Sequence, residues 1–460
     1  MAVAYDLVVV GATTAAKTAA IAAAEFHARV AWAPSTPVTC DPLLLLREAA
    51  RTKPIQGADP ALTPADWVRW ASVLQSTLEN AHSPAAVQTY GVDYWTGEVT
   101  YNRNAFTVEG RDLRSRAYLL AMPPEPSLPE ALDIGHPHVW SIAQLWSALC
   151  STPQQWPTSV AVWGNSVPAV ELSQSLRRLG RSVILLTGGE PLLPHEDRDL
   201  AFLLQAFLEG DGILVDTDSP IQLQSAPADR LVLKGSAGSY TVDAVVSADG
   251  AWRLPPGLAA LNLQQSSQGI DTNRALQTSV PHIYACGSLL GGYPLPSLAC
   301  QEAKHAVHNA LFEQHRPMQY WQMPYCILSQ PALARVGLTE QQARQFDPGV
   351  QVLRQTYQTC DRALINQSPA GLCKVLVQAD GRLLGAHLLG EAAAEIIHLF
   401  ALAIQQGIPL QALSDLGYAA PVFTQVVQGI AAQWQRQQYR RDRNERWFYK
   451  RRRRTQPPHL

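Results

Sequence analysis

The sequence predicts an α/β chain: two Rossmann-like domains, then a smaller α+β domain. Three observations predict it. The stretch "VVVGATTAAKTAAIAAAEFHARVAW" (residues 8–32) runs as apolar strand, tight turn, alanine-rich helix and second strand. The stretch "SVAVWGNSVPAVELSQSLRRLGRSVILLTGGEPLLP" (residues 159–194) repeats that plan, and two such units imply two nucleotide-type α/β domains. After a break at "EQHRPMQYWQMP" the texture changes, and "GLCKVLVQADGRLLGAHLLG" (residues 371–390) is a hairpin turning at Asp380 and Gly381.

Bulk composition agrees. The chain has 460 residues, 47% hydrophobic and 16% charged, which fits a folded chain with a large core rather than a disordered one. A net charge of −2 excludes a polyanion binder as a whole. The seven cysteines (Cys40, Cys150, Cys286, Cys300, Cys326, Cys360 and Cys373) form no CxxC and no zinc spacing. We expect no metal, and reduced thiols in a cytoplasmic compartment. The N-terminus opens into a strand without a charged-then-apolar leader, and no run of about 18 apolar residues predicts a membrane span.

The elements follow in order. Residues 5–32 form the first strand–turn–helix unit. Residues 86–110 alternate apolar and polar positions with turn signals, as hairpin strands do. The second unit comes next. "HIYACGSLLGG" (residues 282–292) is a strand entering a glycine turn, and a helix follows through "LACQEAKHAVHNALF". Beyond the 371–390 hairpin, "EAAAEIIHLFALAIQQG" is helical. From residue 435 the chain holds ten Lys/Arg against two acids, which leaves about −10 on the body.

Taken together, these segments resemble the pyridine nucleotide-disulphide oxidoreductases, the FAD-containing homodimers of the dihydrolipoamide dehydrogenase, mercuric reductase and glutathione reductase type. The resemblance implies an FAD-type domain at residues 1–150 and 270–315 and an NAD(P)-type domain at 151–269. A dimerisation domain at 316–434 and a basic tail at 435–460 complete it. Each site then compares with the family residue by residue. In the FAD turn the three glycine places hold Gly11, Thr13 and Ala16, with Ala12 between the first two. The Thr13 side chain is expected where phosphate should approach, while the helix N-terminus still attracts an anion. The acid that binds the adenosine ribose is replaced by Pro34, and the turn leaving the domain is Ala121, Met122, Pro123. Gly287 and Ser288 stand where the family carries Gly-Asp, so the ribityl contact keeps a hydroxyl but no charge.

Cys40 matches the flavin-side cysteine of the redox pair, and the segment before it, Pro34 to Pro37, supplies no partner. The bland reading of Cys40 is a small buried residue. The nicotinamide turn holds Gly164, Ser166 and Ala169; Glu171 matches a glutamate kept near the nicotinamide, and Thr187 replaces the ribose acid. The proton-transfer His and Glu of the family correspond to Ala420 and Gln425, neither of which exchanges a proton. His387 and His398 are expected to be structural.

Two functions remain open. One is a non-catalytic or regulatory homodimeric scaffold. The other is an FAD-dependent NAD(P)H oxidoreductase of the diaphorase or quinone type, which needs no cysteine pair. A different ligand in the flavin pocket is a third outcome. FAD is open as a cofactor, and NAD(P) is disfavoured. The basic residues from Arg436 to Arg454, beside "RWFYK", are either a solvated tail or a contact to an anionic membrane surface or acidic partner. Nucleic acid is disfavoured, since no RNA-binding fold accompanies the charge.

Overall fold

The computed structural model describes residues 4–36, 40–51, 63–81, 83–102, 105–125, 127–132, 135–217, 222–226, 230–235, 238–250 and 252–441. The chain forms two compact units, Met1–Leu193 with Leu208–Met318, and Pro194–Phe207 with Gln319–Leu460.

The first unit holds two parallel five-stranded sheets. In the first sheet the strands run in the order Ile283–Ala285, Ser115–Leu120, Tyr5–Val10, Val30–Ala33, Asp93–Tyr94. In the second sheet the order is Leu214–Asp216, Ser182–Leu186, Ser159–Trp163, Ala244–Ser247, Val139–Ser141. In each, the chain steps outward from the glycine-bearing strand on one side, and its other neighbour belongs to a different part of the sequence. That places a topological switch point beside both glycine turns, where open α/β sheets form their ligand crevice. Leu7, Val8, Val9 and Val10 are all fully buried, as a parallel strand covered on both faces requires. Leu7 and Val9 share a core with Ala15, Ala16, Ala19, Ala20 and Ala23 of the helix Thr14–Glu25. Val8 and Val10 face the opposite core around Phe106, Tyr118 and Leu258.

Residues 86–98 differ from the expected hairpin. Ser83 caps a short helix, Pro84–Gln88, and Asp93–Tyr94 is a parallel edge strand on Val30–Ala33. The antiparallel part begins at Val99–Asn102 and continues through Ala105–Val108 and Arg111–Leu113. A proline already in the first helical turn after a serine cap favours helix over strand there.

The second unit is built on an antiparallel sheet ordered Tyr325–Ile327, Ala332–Gly337, Leu383–Gly390, Leu372–Val377, Gln351–Thr356. The helices Ala393–Gln406 and Gln425–Arg441 supply its core with Ile397, Phe400, Val427 and Ile430. Arg335, His387 and Lys374 stand side by side across three strands. The buried Lys374 Nζ lies 2.7 Å from Asp197, 2.8 Å from Asp199 and 2.8 Å from Glu340. Glu196 faces Arg335. These acids explain why Pro194–Phe207 belongs to this unit, although sequence grouped it with residues 151–269. Buried cations need their carboxylates nearby. The last helix also runs through Trp434 to Arg441, past the expected start of the tail, and residues 442–460 lie outside the described residues. Among the described residues no helix is long and apolar enough to cross a membrane.

Candidate functional site

The first turn is shaped by Gly11. Its φ is +132°, and a Cβ there would meet the Ala121 carbonyl oxygen at 2.2 Å. No other residue fits that approach. Ala121 leaves the neighbouring strand at the switch point, and its N–H donates to Val10 O at 2.8 Å. Thr13 is the N-cap of the helix Thr14–Glu25, with φ −85°, an ordinary conformation for any residue. Its Oγ1 donates to Ala121 O at 2.6 Å and accepts from the Ala16 N–H at 3.2 Å. The hydroxyl is therefore turned onto the protein's own backbone. Ala16 is fully buried in the core under the turn. Beneath the turn, buried Trp32 donates its indole N–H to Gly11 O at 2.8 Å. Pro34 at the end of that strand is buried and offers no side-chain acceptor. Gly287 N–H donates to the buried Glu302 carboxylate at 2.7 Å, so this glycine is anchored from inside, and Ser288 beside it is half-buried.

The second turn has a different occupant. Gly164 has φ +144°, and a Cβ there would meet Asp249 Oδ2 at 2.5 Å. Asn165 N–H donates to that same oxygen at 2.8 Å. The Ser166 hydroxyl, at the N-cap of the helix Val167–Arg178, donates to the other carboxylate oxygen. The Ser166 backbone N–H also supports the carboxylate. Asp249 follows the strand Ala244–Ser247, the neighbour of Ser159–Trp163 at the switch point. Burial pushes its carboxyl up, and the Ser166 and Asn165 donors pull against that. Ala169 is buried against the turn, and Thr187 donates to the Glu190 carbonyl. Glu171 is nearly buried and forms a 2.8 Å ion pair with Arg47 of the helix Pro42–Arg51.

The thiol and proton-transfer positions are equally occupied. Cys40 is half-buried, and its backbone N–H reaches Glu79 at 3.4 Å. Burial pushes its thiol up, and the Glu79 and Asp41 carboxylates push the same way. A reactive thiolate needs the opposite surroundings. Ser35 stands five residues earlier; residues 37–39 lie outside the described residues. Gln425 accepts the Asp361 N–H at 3.0 Å and donates to its carboxylate at 3.3 Å. An amide does both; a glutamate would set two carboxylates together. Ala420 is exposed. His387 is buried with Nε2 2.9 Å from Leu338 O, and burial pushes it down to about 4; His398 is exposed. Sequence inspection singled out neither Asp249, Arg47 nor Asp361.

A cavity of about 490 Å³ lies elsewhere in the first unit, lined by Asp6, His27, Arg116, His282 and Glu313. These residues sit at the N-terminal ends of the first sheet's strands, away from the turn. Among the described residues no group of His, Cys, Asp and Glu gathers to hold a metal ion.

Two parallel sheets with glycine turns at their switch points, followed by an antiparallel domain, define a chain with two Rossmann-like sheets and an antiparallel C-terminal domain. The chain belongs to the pyridine nucleotide-disulphide oxidoreductase family: the family model matches residues 5–313, and that of its dimerisation domain matches residues 323–430. Mercuric reductase of Staphylococcus aureus is 27% identical over 441 residues, 89% of this chain and 79% of its own length. A dihydrolipoyl dehydrogenase of Bacillus subtilis is 32% identical over 255 residues, 52% of this chain and 54% of its own length. Among solved structures, the HOCl-induced flavoprotein disulfide reductase RclA of Escherichia coli superposes with a TM-score of 0.80 at 20% identity, covering 93% of this chain and 99% of that one. That likeness concerns the fold.

The family is FAD-dependent and binds NAD(P). At the first turn a dinucleotide phosphate would meet the helix N-terminus; Gly11 gives its Cβ space to the Ala121 carbonyl, and Thr13 Oγ1 is bonded to that carbonyl and to the Ala16 N–H. Gly11, Ala12, Thr13 and the helix N-terminus would hold it, and the flavin would supply electron transfer when bound. At the second turn the donors that a phosphate would use are taken by Asp249.

Proposed function

We propose that this chain is a homodimeric family member without thiol–disulphide turnover, acting as a non-catalytic or regulatory scaffold. The observation that carries this reading is Cys40, flanked by Glu79 and Asp41, with its thiol pushed up and Ser35 where a partner cysteine would stand. Dithiol exchange needs an attacking thiolate and a second sulfur. Gln425 supports the same reading, because its amide is committed to Asp361. The match to the dimerisation domain supports a two-fold assembly. The basic residues from Arg436 to Arg454 suit attachment to an anionic membrane surface or an acidic partner, and a cytoplasmic location goes with it.

The second reading, an NAD(P)H oxidoreductase of the diaphorase type, draws on the kept Gly11 cradle. The test is anaerobic reduction of FAD by dihydrolipoamide in the FAD-supplemented full chain, which needs no nicotinamide. The scaffold reading expects no rate above the protein-free control. A rate that disappears in Cys40→Ser would overturn it.

A further inference from the structure

The second turn presents a complete anion site that already contains an anion. Its donors are the Asn165 N–H, the Ser166 hydroxyl and the Ser166 N–H, at the start of a twelve-residue helix. Its acceptor is the Asp249 carboxylate, both oxygens of which are used. Helix N-termini attract negative charge, and in Rossmann-like domains the dinucleotide pyrophosphate is the group that satisfies these amides. Two features hold the carboxylate there. Ser247 Oγ donates to the Asp249 carbonyl at 2.6 Å, fixing the backbone after the strand. Leu193 N–H donates to Asn165 O at 2.8 Å, fixing the turn from its other side. Among the described residues no carboxylate sits in the first turn in this way: Thr13 Oγ1 donates to the Ala121 carbonyl and accepts from the Ala16 N–H, and none of these groups carries charge.

We propose that the Asp249 carboxylate is an internal ligand of the second turn, seated in place of a dinucleotide phosphate, and that it closes this turn to NADH and NADPH. A pyrophosphate can enter only if Asp249 gives up its donors, and it must then sit beside a displaced carboxylate of like charge. The inference is independent of the thiol chemistry, because it concerns a different turn and a binding equilibrium.

The experiment is calorimetric titration of NADH and of NADPH into the full chain and its Asp249→Ala and Asp249→Asn variants. The expected result is at least a tenfold gain in affinity for Asp249→Ala over the natural chain. Asp249→Asn should gain less, since an amide oxygen still accepts. Equal affinity in all three, whether tight or undetectable, overturns the proposal. Should Asp249→Ala fail to fold, two measurements remain. The near-isosteric Asp249→Asn is titrated, and amide exchange is read at Asn165 and Ser166 in the unliganded natural chain. Slow exchange at both is expected; exchange at the rate of an open turn overturns the proposal. The dihydrolipoamide assay, which uses no nicotinamide, does not depend on either outcome.

Discussion

The two glycine turns share a plan and differ in what crosses the switch point. At the first turn a backbone oxygen crosses: Ala121 O approaches Gly11 and accepts from Thr13. At the second a side chain crosses: Asp249 approaches Gly164 and accepts from Asn165 and Ser166. The same lost glycine, replaced by a hydroxyl residue in both, thus has opposite consequences. Thr13 closes neutral bonds, to Ala121 O and from the Ala16 N–H. Ser166 helps to hold an anion already in place. A motif count scores the two turns alike; the group arriving from the adjacent strand separates them.

The largest effects should come from the glycines. In Gly11→Ala the positive φ and a backbone oxygen at 2.2 Å both oppose the methyl, and we expect a loss of about 4 kcal/mol. In Gly164→Ala the nearest atom belongs to a side chain, and we expect about 2 kcal/mol. Part of that loss should vanish when Asp249→Ala is added. Thermal and urea unfolding of the natural chain, the three single variants and the double variant measure this. Equal losses for both glycines, or strict additivity with Asp249→Ala, would erase the distinction drawn between the turns.

Next is Arg47→Ala, which removes the cation 2.8 Å from buried Glu171, on the helix that the second turn begins. Breaking such a pair from one side costs about 3 kcal/mol, and replacing both charges costs less. Arg47→Met combined with Glu171→Gln should recover most of the unfolding midpoint. A double variant as weak as the single one would mean that the pair is not what Arg47 contributes.

The smallest effect is in acid. Burial pulls the Asp243 carboxyl up, but donors on Thr158 and Ser159 outweigh it and hold it down to about 2, from 3.8. Its contribution to the second sheet is complete above pH 3.8 and is lost as pH falls through about 2. Unfolding midpoints between pH 5 and 2 should fall less steeply in Asp243→Asn than in the natural chain. Parallel slopes would refute the assignment.

Much of the fold was legible because parallel strands and their helices follow local rules. The run Leu7 to Val10 is buried on both faces, and the alanines behind it match a closely packed helix. The unusual residues at Cys40, Ala420 and Gln425 were visible too, because each departs from a family pattern. What replaced them was not. Asp249 follows Gly164 by 85 residues, and only the strand order Ser182–Leu186, Ser159–Trp163, Ala244–Ser247 brings it to the turn. Arg47 meets Glu171 across 124 residues. Gln425 looked like a missing acid until Asp361 stood opposite it. Val99–Asn102 and Ala105–Val108 form the expected antiparallel hairpin, but residues 86–98 misled because alternation outweighed the Ser83 cap and Pro84.

The central claim is that the scaffold can hold a flavin-type dinucleotide but cannot be fed electrons through its second turn. The most direct test is anaerobic: load the full chain with FAD, add NADH or NADPH, and follow the visible absorbance, with dithionite as the final addition. The account predicts a flavin spectrum unchanged by either nicotinamide and bleached by dithionite. Stoichiometric bleaching by NADH or NADPH would contradict it.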